Sequence, residues 1–99
     1  MSVILDFSIF PVDKGESVSG YVSRAVKIIQ ESGLPHKLGP MGTCVEGEWD
    51  EVMALVDRCF KALQQDCSRI YMTIKVDSRQ GAGGRMEGKI RSVEQKTSD

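Results

Sequence analysis

Histidine is almost missing from this 99-residue chain, and His36 is the only one. The cysteines are few and odd in number: Cys44, Cys59 and Cys67 stand 15 and 8 residues apart. Neither a paired zinc-ligand spacing nor a disulfide framework fits those intervals, so no metal site is expected and the thiols read as reduced side chains of a cytosolic protein. A surplus of positive charge is also missing. Thirteen Lys and Arg against 14 Asp and Glu give a net charge of -1, and without a basic face there is no electrostatic footprint for nucleic acid. No apolar run approaches the roughly 20 residues that a membrane-spanning helix needs. Met1 to Asp6 has no basic start and meets an acid by its sixth residue, so a secretory leader is not expected. A nucleophile paired with a positioned base is not recognisable either, because one histidine without an evident partner is thin support for covalent catalysis. A binding module therefore ranks above an enzyme.

What the chain does contain is clear periodicity. Val3, Leu5, Phe7 and Ile9 alternate with Ile4, Asp6, Ser8 and Phe10, the pattern of a half-buried strand, which Pro11 ends. Ser17 is positioned as the N-cap of a helix carrying Val18, Tyr21, Val22, Ala25, Ile28 and Ile29, with Gly33 at the residue after its C-cap and Pro35 preventing its resumption. His36 to Met41, with Gly39 and Pro40, reads as an edge strand. Thr43 to Glu46 forms a further short strand, and Trp49 to Gln65 a helix that buries Val52, Leu55, Val56, Cys59, Phe60 and Leu63. From Arg69 to Asp77 the alternation returns, with Ile70, Met72, Ile74 and Val76 opposite Tyr71, Thr73, Lys75 and Asp77. Residues 3–77 thus spell βαββαβ, an α+β ferredoxin-like sandwich: one antiparallel four-stranded sheet with two helices on one face. Residues 78–96 add the glycine-rich stretch Gly81 to Gly84, read as a flexible loop rather than a phosphate cradle, and a C-terminal helix with Met86, Ile90 and Val93 at helical spacing. The whole of 1–99 is expected to be one domain.

Two helices leave one sheet face open. Onto it the alternation directs Ile4, Asp6, Ser8 and Phe10, then Tyr71, Thr73, Lys75 and Asp77, with Cys44 and Glu46 from the third strand. That mixture is too apolar for a solvated face and too charged for a dry core, which suits a contact between subunits with polar pockets in it. Glu46 and Glu48 stand just before a helix start, where they either hold a cationic ligand or simply cap the helix. Lys75 and Asp77 are open to a ligand role or to plain cross-strand pairing.

Several separated motifs carry a family resemblance: Pro11, Ser32-Gly33-Leu34, Pro40-Met41-Gly42-Thr43 with Glu46-Gly47-Glu48-Trp49, Lys75-Val76-Asp77-Ser78-Arg79, and Met86-Glu87-Gly88-Lys89-Ile90. From about residue 3 to residue 95 the chain resembles the small YkoF-like thiamine-binding family. The resemblance implies a ferredoxin-like fold, dimers assembled through their sheets into tetramers, and binding of thiamine or its hydroxymethylpyrimidine moiety without a cofactor. With such a ligand, Glu46 or Asp77 would compensate the cation, Ser8 and Thr43 would pair with the pyrimidine edge, Phe10 or Tyr71 would lie against a ring, and Lys75 would keep the empty site neutral. A carrier or sensor of that ligand is the leading expectation. A structural or regulatory oligomeric module of the amino-acid-binding type shares the same element order and stands as the alternative.

Overall fold

The structure, a computed structural model, describes residues 2–80 and 85–98. Its elements run β1 (Ser2–Pro11), α1 (Ser19–Glu31), β2 (His36–Leu38), β3 (Thr43–Glu48), α2 (Trp49–Gln64), β4 (Ile70–Ser78) and α3 (Arg85–Ser98). The sheet order is β2-β3-β1-β4 with every neighbouring pair antiparallel, the ferredoxin-like α+β arrangement. β1 lies inside the sheet, and its alternation decides what is buried: Val3, Leu5, Phe7 and Ile9 are at most 5% exposed. They meet Ala25 and Ile29 of α1 and Val52, Leu55, Val56, Cys59 and Leu63 of α2, and each fully buried Leu or Ile among them contributes roughly 1.5–3 kcal/mol of apolar burial. Burial also pushes the Cys59 thiol up to about 11 and raises Cys67, so both act as small apolar side chains.

Local chemistry sets the element ends, with some departures from expectation. Ser17 is not the cap of α1. That position falls on Val18, at φ −113° and ψ 1°, with no side-chain hydrogen bond, so packing rather than capping starts this helix. At its other end Gly33 has φ +77°, the left-handed conformation that glycine takes without steric cost. β3 runs on to Glu48, two residues beyond the expected end, because Glu48 serves as both the last strand residue and the N-cap of α2. It forms a reciprocal capping box with Glu51, whose Oε1 accepts the Glu48 N–H at 3.1 Å. Conversely β2 is confined to His36–Leu38. The chain then turns at Gly39, whose N–H donates to Gly42 O at 2.8 Å.

Two elements are left with little cover. β4 is an edge strand exposed on both faces: Tyr71 is 55% exposed on one, while Met72, Ile74 and Val76 are 36–39% exposed on the other. α3 is longer than expected, and its apolar stripe docks only at its start. Met86 is buried, whereas Ile90 and Val93 are 40% and 62% exposed, and every residue from Glu87 to Ser98 is exposed. Gly81 to Gly84 lies outside the described residues.

Candidate functional site

The antiparallel register spreads the expected site residues along the open face in two groups. Ile4 lies between Glu46 and Asp77, Asp6 between Cys44 and Lys75, Ser8 beside Thr73, and Phe10 beside Tyr71. β3 pairs with β1 only as far as Phe7 opposite Thr43, while β4 accompanies β1 to Pro11. The last part of β1 therefore has no strand on its β3 side among the described residues. The sequence causes this early stop: Pro40 cannot donate to a ladder, and the Gly39 to Gly42 turn that leads from β2 into β3 takes the chain away from β1 before Thr43. Gly42 comes so near β1 that a Cβ there would sit 3.0 Å from Phe7 O and 3.4 Å from Asp6 Oδ1, which explains the glycine.

A cavity of about 480 Å³ opens where β3 stops, within the roughly 300–1,000 Å³ usual for small-molecule sites. Phe7 to Phe10 of β1 form one wall, Val18, Val22, Val26 and Ile29 of the α1 segment another, Leu38 to Thr43 a third, and Tyr71 and Thr73 of β4 complete it. Its lining is mainly apolar, with few polar groups. The Ser8 and Thr73 hydroxyls lie 2.6 Å apart, and Thr43 is 4% exposed. The Phe10 and Tyr71 rings stand 5.6 Å apart between centroids and are tilted by 33°, an aromatic pair at the mouth against which a planar ligand can lie.

Ser8, Phe10, Thr43 and Tyr71 are thus brought together at this cavity; Glu46, Lys75 and Asp77 are not among its lining. Glu46 lies three residues along β3 from Thr43, about 10 Å at roughly 3.3 Å per residue, and is 4% exposed. Its carboxylate accepts the backbone N–H of Arg85 at 2.9 Å and of Met86 at 3.4 Å, so it holds the start of α3 by charge-assisted hydrogen bonds and by the helix dipole. Sequence reasoning placed its capping role at α2, which Glu48 fills instead. Around Glu46 the Arg85 guanidinium donates to Ser2 O and Asp77 O at 3.3 and 3.0 Å and lies 3.6 Å from Asp77 Oδ1. Lys89 donates to Asp77, and that hydrogen bond, with the nearby Arg85 charge, holds the Asp77 carboxyl below its ordinary range. Lys37 of β2 pairs with Glu87 at 2.6 Å and lowers the Glu87 carboxyl likewise. Lys75, 83% exposed, is 3.7 Å from Asp6.

Sequence reasoning missed several lining residues. Periodicity puts Val22 and Ile29 in the core and leaves Val26 without a role, while Leu38 and Met41 fall in the edge segment; Val22, Val26 and Ile29 become one wall, and Leu38 to Gly42 part of another, only because the β3 ladder ends at Thr43. Gly39-Pro40 with Gly42 two residues on is the available signal. The Cys44 thiol donates weakly to Asp6 at 3.7 Å, and its pKa is raised by burial and then by the Asp6 charge, so it is a poor nucleophile. His36 hydrogen-bonds to Leu34 O at 2.9 Å and is not part of the cavity lining. Among the described residues no three His, Cys, Asp or Glu side chains converge as metal ligands, and no helix is long and apolar enough to cross a membrane.

Comparison with known proteins gives a consistent family pattern. Residues 5–94 match the family model described as thiamine-binding protein. The chain is similar to a UPF0045 protein of Mycobacterium bovis, 40% identical over 95 residues that span 95% of this chain and 93% of that one. A hypothetical protein of Methanocaldococcus jannaschii, known from its crystal structure, superposes with a TM-score of 0.87 at 29% identity, covering 94% of this chain and 96% of the other. A Thermotoga maritima protein described as a candidate for thiamine biosynthesis or salvage shares the fold with a TM-score of 0.78 at 23% identity, over 92% of this chain and 99% of its own.

Proposed function

The chain belongs to the thiamine-binding protein family, and from that premise we propose that it binds thiamine or its hydroxymethylpyrimidine moiety at the cavity beside the end of β1, as a cytosolic carrier or sensor with no chemistry of its own. The observation that carries the reading is the cavity itself: apolar walls sized for a small ring system, the Ser8, Thr43 and Thr73 hydroxyls, and the Phe10 and Tyr71 rings at the mouth. Apolar walls supply affinity for the ring and the hydroxyls orient its polar edge. In this reading Asp6, which is not itself part of the lining but has its Oδ1 beside the lining residue Gly42, compensates a thiazolium cation, with Lys75 as its counter-ion while the site is empty. The unpaired thiols of Cys44, Cys59 and Cys67 support a reducing compartment.

Calorimetric titration with thiamine, hydroxymethylpyrimidine and a panel of amino acids tests the proposal. Both thiamine and the pyrimidine should bind, and Tyr71→Ala should weaken each roughly tenfold through loss of ring contact. If neither binds at millimolar concentration the ligand is wrong; binding of an amino acid alone would instead establish a regulatory module of the amino-acid-binding type.

A further inference from the structure

Main-chain hydrogen bonding along β1 contains a gap that opens into the cavity. Val12 N–H donates to Arg69 O at 2.9 Å, in register with the β1–β4 ladder, so even-numbered residues at this end of β1 turn their N–H and C=O groups toward β4. On the other side Glu46 N–H donates to Pro35 O at 3.0 Å, so even-numbered residues of β3 turn toward β2. The odd-numbered ones, Thr43, Val45 and Gly47, face Phe7, Leu5 and Val3. Odd-numbered residues of β1 therefore bond to β3. Ile9 is the next odd residue after Phe7, and the register that pairs Phe7 with Thr43 would place Met41 opposite it. Met41 instead lies in the Gly39 to Gly42 turn and is 88% exposed. Pro11, the following odd residue, has no N–H to satisfy.

Ile9 is thus left with a donor and an acceptor side by side, both directed into the lane that β3 vacates, and among the described residues neither has a main-chain partner there. The residue is 5% exposed and lines the cavity. Buried backbone groups require partners, and a flat edge bearing one acceptor beside one donor satisfies both at once, as an opposing residue of a strand would.

We propose that the Ile9 N–H and C=O form the recognition edge of this site, taking an aminopyrimidine whose ring nitrogen accepts from Ile9 N–H while its amino group donates to Ile9 C=O. The ring continues the sheet where β3 ends, with Val22 and Val26 of α1 over one of its faces. This assignment rests on the thiamine-type reading above and gives it a chemical basis: main-chain groups, which no side-chain motif discloses, add specificity to that of the hydroxyls.

The test combines amide NMR with a ligand series. In the free protein the Ile9 amide should exchange with solvent faster than those of Leu5 and Phe7, which are held in the β3 ladder. Saturation with hydroxymethylpyrimidine should move the Ile9 amide resonance downfield and slow its exchange, leaving Val12 unchanged. The same ring without its amino group, or with a dimethylamino group, should bind roughly ten- to a hundredfold more weakly, because a buried acceptor is left unpaired. Equal binding of all three rings, or an Ile9 amide that does not respond to a saturating ligand, would overturn the main-chain assignment while leaving the ligand class intact. Absence of binding by any of the rings would overturn the ligand class, and the assignment with it.

Discussion

At the scale of single residues, Glu46 shows how one carboxylate can satisfy a sequence pattern for a reason other than the expected one. Its position beside a helix start suggested a fixed negative charge available to a cation, yet it is buried and its oxygens accept the first N–H groups of α3. Glu46→Gln keeps the shape but replaces one acceptor oxygen with a donor facing an N–H. Leaving a buried group unpaired typically costs about 1–3 kcal/mol, so this variant should unfold at lower denaturant and lose protection of the Arg85 and Met86 amides, with thiamine affinity changed less than twofold. Thiamine binding weakened tenfold at unchanged stability would return Glu46 to the ligand. The side-chain directions of β1, β3 and β4 were legible from alternation, and so was the gathering of Ser8, Phe10 and Tyr71 on one face. The separation of Glu46, Lys75 and Asp77 from them was not legible, because it depends on where β3 stops relative to β1, a matter of register between segments far apart in the chain.

Among the elements, α3 is the one whose attachment is chiefly electrostatic. Met86 alone is buried, and the remaining ties are Glu46 to the helix start, Lys89 and Arg85 to Asp77, and Lys37 to Glu87. Hydrogen bonds from Lys89 and Lys37 depress the Asp77 and Glu87 carboxyls below their ordinary 3.8 and 4.5. A carboxyl depressed in the folded state stabilises it fully above the ordinary value and ceases to do so as pH falls through the folded one. Docking of α3 should therefore be level from neutral pH to about 5 and weaken below about 4, and since these are exposed pairs, added salt should weaken it at neutral pH too. Amide exchange of Met86 to Lys89 followed against pH would show this; protection that falls between pH 8 and 6 would contradict it. Existence and type of every element could be read from period, caps and turn residues. The length of α3 could not, because its exposed second half has weak apolar patterning, and the α1 cap could not, because the helix starts from Val18 with no side-chain cap hydrogen bond.

For the whole molecule, the uncovered apolar area is the main consequence of placing two helices on one face and a long strand at the edge. Phe10 and Tyr71 on the open face, Met72, Ile74 and Val76 on the helix side of β4, and Ile90 and Val93 on α3 all lie where an isolated chain would leave them partly wet. Exposed apolar side chains on several faces suit association with further copies, and we expect the tetramer that the family resemblance implied: light scattering at micromolar concentration should return about four chain masses. Removing residues 85–99 should shift the assembly toward smaller species, and an unchanged mass and melting temperature would show that α3 has no part in it. The inner position of β1 has one more consequence, in time rather than in space. The ribosome makes β1 first, but its long partner β4 starts only at Ile70, about 60 residues later, or roughly 3–12 s at usual rates of synthesis. For that interval the most apolar strand of the protein exists without its neighbour on one side, so a nascent chain of this design depends on α1, and then on the β3 hairpin and α2, to shelter it until the last strand arrives.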